Sequence, residues 1–61
     1  MTDLLDEHAA AARLALAAKT LTRWRWAGIG PDYHKIGGRL VRYAVTDLDA
    51  FAQAGRVNHD N

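Results

Sequence analysis

Apolar positions fall at helical spacing in three stretches of the chain and alternate in one stretch between the second and third. Residues 6–15 are strong helix formers, with Ala9, Ala10, Ala11 and Ala12 adding propensity at almost no side-chain entropy cost and Asp6 placed to cap. Leu5 stands just before that cap, and Leu14 and Leu16 follow the alanines, a stripe too thin to stand without a partner. A second helix is predicted over residues 18–26, ended by Gly28, Gly30 and Pro31. The join between the two, "LALAAK", holds no Gly, Ser, Pro or Asn, so propensity alone permits a single rod. The pattern opposes it: one continuous helix would align Leu14 with Leu21 but leave Leu16 and Trp24 elsewhere, and a turn is expected instead.

Over residues 33–43 two runs rich in β-branched and aromatic residues flank Gly37-Gly38, a favoured two-residue hairpin connection. On the second strand Val41 and Tyr43 share one face, Leu40 and Arg42 the other. Thr46 is expected to cap a third helix, with Asp47 and Asp49 in its first turn, Gly55 as its stop, and Leu48, Phe51 and Ala52 on one face. Residues 56–61 read as a flexible polar tail on a single domain spanning 1–61. Helix, turn, helix, hairpin, helix is the order of a winged helix-turn-helix, mainly α with a small β-hairpin.

Composition narrows the possibilities. A chain of 61 residues buries only about 60% of its unfolded surface, so the core is small. With no cysteine to form disulfides or thiolate metal sites, a reducing cytoplasm is the expected setting. No apolar run approaches a membrane span, and "MTDLLDEH" lacks the basic start of a signal peptide. The net charge of +1 conceals a strong segregation. Arg13, Lys19, Arg23, Arg25, Lys35, Arg39 and Arg42 face only Asp32 in the middle of the chain, a local balance of +6. The flanks hold Asp3, Asp6, Glu7, Asp47, Asp49 and Asp60 against Arg56, a balance of −5. A basic middle on a near-neutral whole is the footprint of a polyanion-binding face.

On a helical wheel Leu21 and Trp24 define a core side of the second helix, whereas Trp26 falls among Lys19, Thr22 and Arg23. That second side suits a recognition helix: Arg and Lys reach guanine edges or phosphates, and Thr donates to either. The candidate DNA-binding residues are Lys19, Thr20, Thr22, Arg23, Arg25 and Trp26 on this helix, with Lys35, Arg39 and Arg42 on the hairpin, where a wing meets phosphates or the minor groove. Trp26 has three possible roles: packing on the sugar-phosphate backbone, covering the core edge beside the hairpin, or stacking on a neighbouring copy. Nothing suggests an enzyme, a metal site or a cofactor. "GIG" lacks the context of a nucleotide loop, and His8, His34 and His59 lack the spacing zinc requires.

The segments "AAARL", "TLTRWR", "GIGPDYHKIGGRLVRY" and "TDLDAF" together resemble the excisionase, or recombination directionality factor, branch of the MerR-like winged helix-turn-helix proteins over about residues 5–54. The matching features are Arg23-Trp24, Gly30-Pro31, Lys35-Ile36-Gly37, Arg42-Tyr43 and the run from Asp47 to Phe51. The resemblance implies a phage-type accessory protein on the bacterial nucleoid. Such a protein binds and bends attachment-site DNA, promotes excision by an integrase and disfavours integration, with several copies binding cooperatively. A small phage or plasmid transcriptional regulator of the same fold is the alternative. Four positions depart from the family pattern: Ala15 stands for a turn glycine, Ala17 for a serine cap, His34 for a branched apolar residue, and Trp26 for a basic or polar residue.

Overall fold

The computed structural model describes residues 3–57, in the order β1 (Leu4–Leu5), α1 (Glu7–Arg13), α2 (Ala18–Ala27), β2 (His34–Ile36), β3 (Leu40–Ala44) and α3 (Val45–Ala54). Asp6 caps α1 as its position predicts, its carboxylate accepting from the Ala9 N–H at 2.8 Å. Replacing Asp6 with Ala should lower stability by about 1 kcal/mol, the usual cost of a lost N-cap, readable as a shift in urea midpoint at unchanged slope. Residues 58–61 of the expected tail lie outside the described residues, while Arg56 and Val57 are exposed and outside any helix or strand.

α1 ends at Arg13, two residues earlier than propensity suggests, and the chain turns. The Leu16 N–H donates to the Ala11 carbonyl at 2.8 Å and the Ala15 N–H to that of Ala12 at 3.1 Å, the paired bonds of a Schellman ending. The motif requires a left-handed residue, here Ala15 at φ 57°. α2 ends with the same pair of bonds, Ile29 N–H to Trp24 and Gly28 N–H to Arg25, but its left-handed residue is Gly28 at φ 75°. The turn after α1 therefore forms against a local penalty. What favours it is that Leu14, Leu16 and Trp24 can then all reach the same core, which one rod would prevent. α2 begins after Ala17, which offers no side-chain acceptor to the first N–H groups.

Two strands flank β3, giving the order β1-β3-β2 with both pairings antiparallel. β1 pairs Leu4 with Ala44 and Leu5 with Tyr43. It is too short for alternation to reveal it in the sequence. In the hairpin Ile36 lies opposite Leu40, so the connection is Gly37-Gly38-Arg39, three residues instead of the expected two. The longer turn matches two aliphatic residues across the strands, where the shorter one would have set Ile36 against Arg39. It also leaves Lys35 on the Val41 face and turns His34, Ile36, Leu40 and Arg42 the other way.

α3 starts one residue ahead of Thr46, with Ala44 in the cap position, and no side chain caps it. The chain does the capping: the Val45 N–H donates to the Asp3 carbonyl at 3.0 Å, a partner brought by β1. Thr46 is thus inside the helix, and Asp49 lies beyond the first turn, where only Asp47 remains of the expected acids. Asp49 accepts two bonds at 2.9 Å from Arg13, tying the end of α1 to α3. Those bonds hold its carboxyl below the usual carboxylate range. Gly55 ends the helix as expected.

The core is Ala10, Ala11, Leu21, Tyr43 and Leu48, surrounded by Leu5, Leu14, Leu16, Ala18, Trp24 and Val41. Two alanines on the buried side of α1 leave room for the larger Leu21, Tyr43 and Leu48 to meet beneath it. Trp24 extends that cluster to α3, its ring 5.7 Å from that of Phe51 and tilted by 56°.

Candidate nucleic-acid interface

The buried side of α2 is Leu21 with the half-buried Trp24, so the opposite side is free to meet a partner. Lys19, Arg23 and Trp26, spaced by four and three residues, are all exposed there. Thr20, in the first turn, is half-buried. Trp26 is 80% exposed and does not cover the core edge beside the hairpin. Its ring instead lies 5.9 Å from the Arg25 guanidinium carbon.

Thr22 and Arg25 are engaged within the domain. The Thr22 hydroxyl donates to Glu7 at 2.5 Å, and Arg25 Nε donates to the other oxygen of that carboxylate at 3.2 Å. Both side chains of the ion pair are largely shielded, at 19% and 21% exposure. Burial disfavours the Arg25 charge, but the bond and the charge of Glu7 outweigh it and hold the guanidinium above its ordinary pKa. Burial also pushes the Tyr43 phenol up, and the Glu7 carboxylate adds to the rise. Glu7 therefore fixes how α2 lies on α1 through residues 15 and 18 positions away, a separation that leaves no local sequence signal. Glu7→Gln should lower stability by about 1 kcal/mol, the scale of a hydrogen bond to a charged group reduced for partial exposure, measured by thermal melting.

The hairpin begins beside the last turn of α2. Arg25 and Tyr33 line one cleft with Gly28, Ile29, Gly30, Pro31 and Asp32 between them. The Tyr33 ring lies 5.9 Å from that of Tyr43. Gly30 makes this link possible: its φ is 91°, and a Cβ there would stand 3.0 Å from the Trp24 ring. From this base the strands run outward, and β3 passes from buried Ala44 and Tyr43 through half-buried Arg42 and Val41 to exposed Leu40. Lys35 and Arg39 are exposed. Arg42 is half-buried and donates to the Val41 carbonyl at 2.8 Å. His34 lies 3.9 Å from Asp47 at the base of the outward face.

The ion pairs divide the basic middle of the chain into two groups. Arg13 and Arg25 are held by Asp49 and Glu7. Among the described residues, Lys19 and Arg23 on α2 and Lys35, Arg39 and Arg42 on the hairpin have no acidic partner. Sequence reasoning placed all seven in one class because pairing across elements is invisible in it. It also passed over Ile36 and Leu40, which are 45% and 55% exposed near the hairpin tip. No helix among the described residues is long and apolar enough to cross a membrane.

A helix-turn-helix whose second helix is followed by a two-stranded ribbon and a third helix is a winged helix-turn-helix. The chain matches the model of a helix-turn-helix domain family over residues 4–56 and belongs to that family of DNA-binding domains, which includes small excisionase-like proteins. No curated protein and no solved structure matches it.

Proposed function

We propose that the protein is an excisionase, a recombination directionality factor that binds and bends DNA near an attachment site, promoting integrase-mediated excision and disfavouring integration. α2 enters the major groove with Lys19, Thr20, Arg23 and Trp26 toward the duplex, and the hairpin carries Lys35, Arg39 and Arg42 to the adjacent backbone. The single observation behind this reading is the separation of cations just described: those left without acids lie on the two elements a winged domain presents to DNA. Thr22 and Arg25 support the interface from behind through Glu7. Trp26 packs its exposed ring on the sugar-phosphate backbone or on a neighbouring copy.

A module this small covers about 1,000 Å² or less of DNA, so several copies side by side, together with the integrase, are the natural assembly. The cell compartment is the bacterial cytoplasm, at the nucleoid. The test is excision of an attachment-site substrate by the cognate integrase with and without the protein. A rise in excision with a fall in integration is the expected result. Unchanged recombination together with repression of a nearby promoter would instead identify a transcriptional regulator using the same interface.

A further inference from the structure

The hairpin ends in a feature that folding does not account for. Ile36 and Leu40 face each other across the strands directly below the turn and point to the same side, 45% and 55% exposed. Neither belongs to the core or to the shell around it. Leu40 is three residues from buried Tyr43, about 10 Å along the strand, so the pair overhangs the domain. Exposed ribbon edges ordinarily carry charge or proline, which discourage association, and an aliphatic pair at this place does the opposite.

The surroundings of the pair identify what it meets. Arg39 adjoins it in the turn and half-buried Arg42 shares its side of the ribbon, while Lys35 projects from the opposite side; none of the three has an acidic partner among the described residues. Gly37 and Gly38 form the end of the ribbon at φ 64° and 77°, and a Cβ on either would meet nothing within 4 Å. Backbone conformation therefore explains the glycines, and their consequence is a slim tip whose nearest side chains are aliphatic or cationic. An apolar centre with a cationic rim complements a groove with phosphates along both walls and sugars and base edges between them.

We infer that the hairpin tip enters the minor groove and that Ile36 and Leu40 act there as a wedge, prising a base step apart and bending the duplex. This rests on the DNA-binding reading above and assigns the bend to two particular side chains. Strands about 4.8 Å apart, once clothed in side chains, overfill a minor groove about 6 Å wide, so entry and widening occur together. Lys35 and Arg39 hold the tip against the phosphates while the aliphatic pair does the unstacking. Flexible pyrimidine–purine steps under the tip are favoured, because they open at least cost.

The test uses the full chain and a duplex of about 30 base pairs, selected by the wild-type protein from a random pool and carrying a fluorescence energy-transfer pair at its ends. Ile36→Thr with Leu40→Thr preserves strand propensity while removing the wedge, and an unchanged melting temperature certifies its fold. At saturation this variant should show less than about half the wild-type change in transfer efficiency, and it should lose the preference for a flexible step beneath the tip. Lys35→Ala with Arg39→Ala should weaken binding about 10-fold or more, yet bend fully once bound. A threonine variant that bends DNA as the wild type does would overturn the wedge. So would a variant that keeps bend and affinity but loses self-association, since the pair would then be a protein contact. A wild-type chain that selects no duplex refutes the DNA-binding reading, and the wedge with it.

Discussion

Lys19→Ala combined with Arg23→Ala should reduce affinity for selected duplex DNA about 10- to 100-fold at physiological salt while leaving the melting temperature unchanged. Each cation is exposed and without an acidic partner among the described residues, so its removal breaks nothing inside the domain. A phosphate contact contributes about one unit to the slope of log affinity against log salt, and the double variant should therefore flatten that slope by about two. If one of the pair reads a base, affinity falls further on the selected site than on random sequence, by about 1–3 kcal/mol. Measuring binding by fluorescence anisotropy at several salt concentrations separates the two contributions. Undiminished affinity would show that the outer side of α2 does not face DNA. Arg25→Ala offers the contrast: its guanidinium is engaged by Glu7, so its first effect should be on stability.

Ala15→Gly with Ala17→Ser should raise the melting temperature by about 6–20 °C, from a combined gain of about 1.5–2.5 kcal/mol. The first substitution relieves an L-residue held at φ 57° in a Schellman ending; it recovers about 1–2 kcal/mol of steric cost, less about half a kcal/mol of added unfolded-state entropy. The second supplies the missing acceptor at the start of α2, typically about 1 kcal/mol. The effects should nearly add, because one acts on a backbone angle at the end of α1 and the other on N–H groups of α2. Differential scanning calorimetry of the single and double variants checks this. A destabilised Ala15→Gly variant would mean that the residue is not left-handed in solution.

That turn shows where the sequence stops being legible. "LALAAK" carries no turn residue, and the Schellman ending that breaks the helix there is enforced by leucines gathering on a core that only the whole chain assembles. By contrast Asp6, Gly28 and Gly55 mark helix ends by purely local chemistry, and each does so in the structure. Thr46 has the same local credentials but lies inside the helix, which begins one residue earlier with the Val45 N–H satisfied by the Asp3 carbonyl that β1 brings. The candidate interface divides likewise. Lys19, Arg23 and Trp26 are exposed on α2 as the wheel requires, whereas Thr22 and Arg25, close to them in sequence, are engaged by Glu7.

By itself the sequence determined the order of the three helices and the hairpin, the cationic middle and the two sides of α2, since helix propensity, glycine positions and side-chain period act over a few residues. Only the tertiary structure decided that Ala15 would bend backward into a left-handed turn, that Leu4 and Leu5 would become a strand, and which cations would be neutralised. Those outcomes depend on contacts between residues far apart in the chain, whose energies exceed the local preferences they override and leave no trace in any short stretch of sequence.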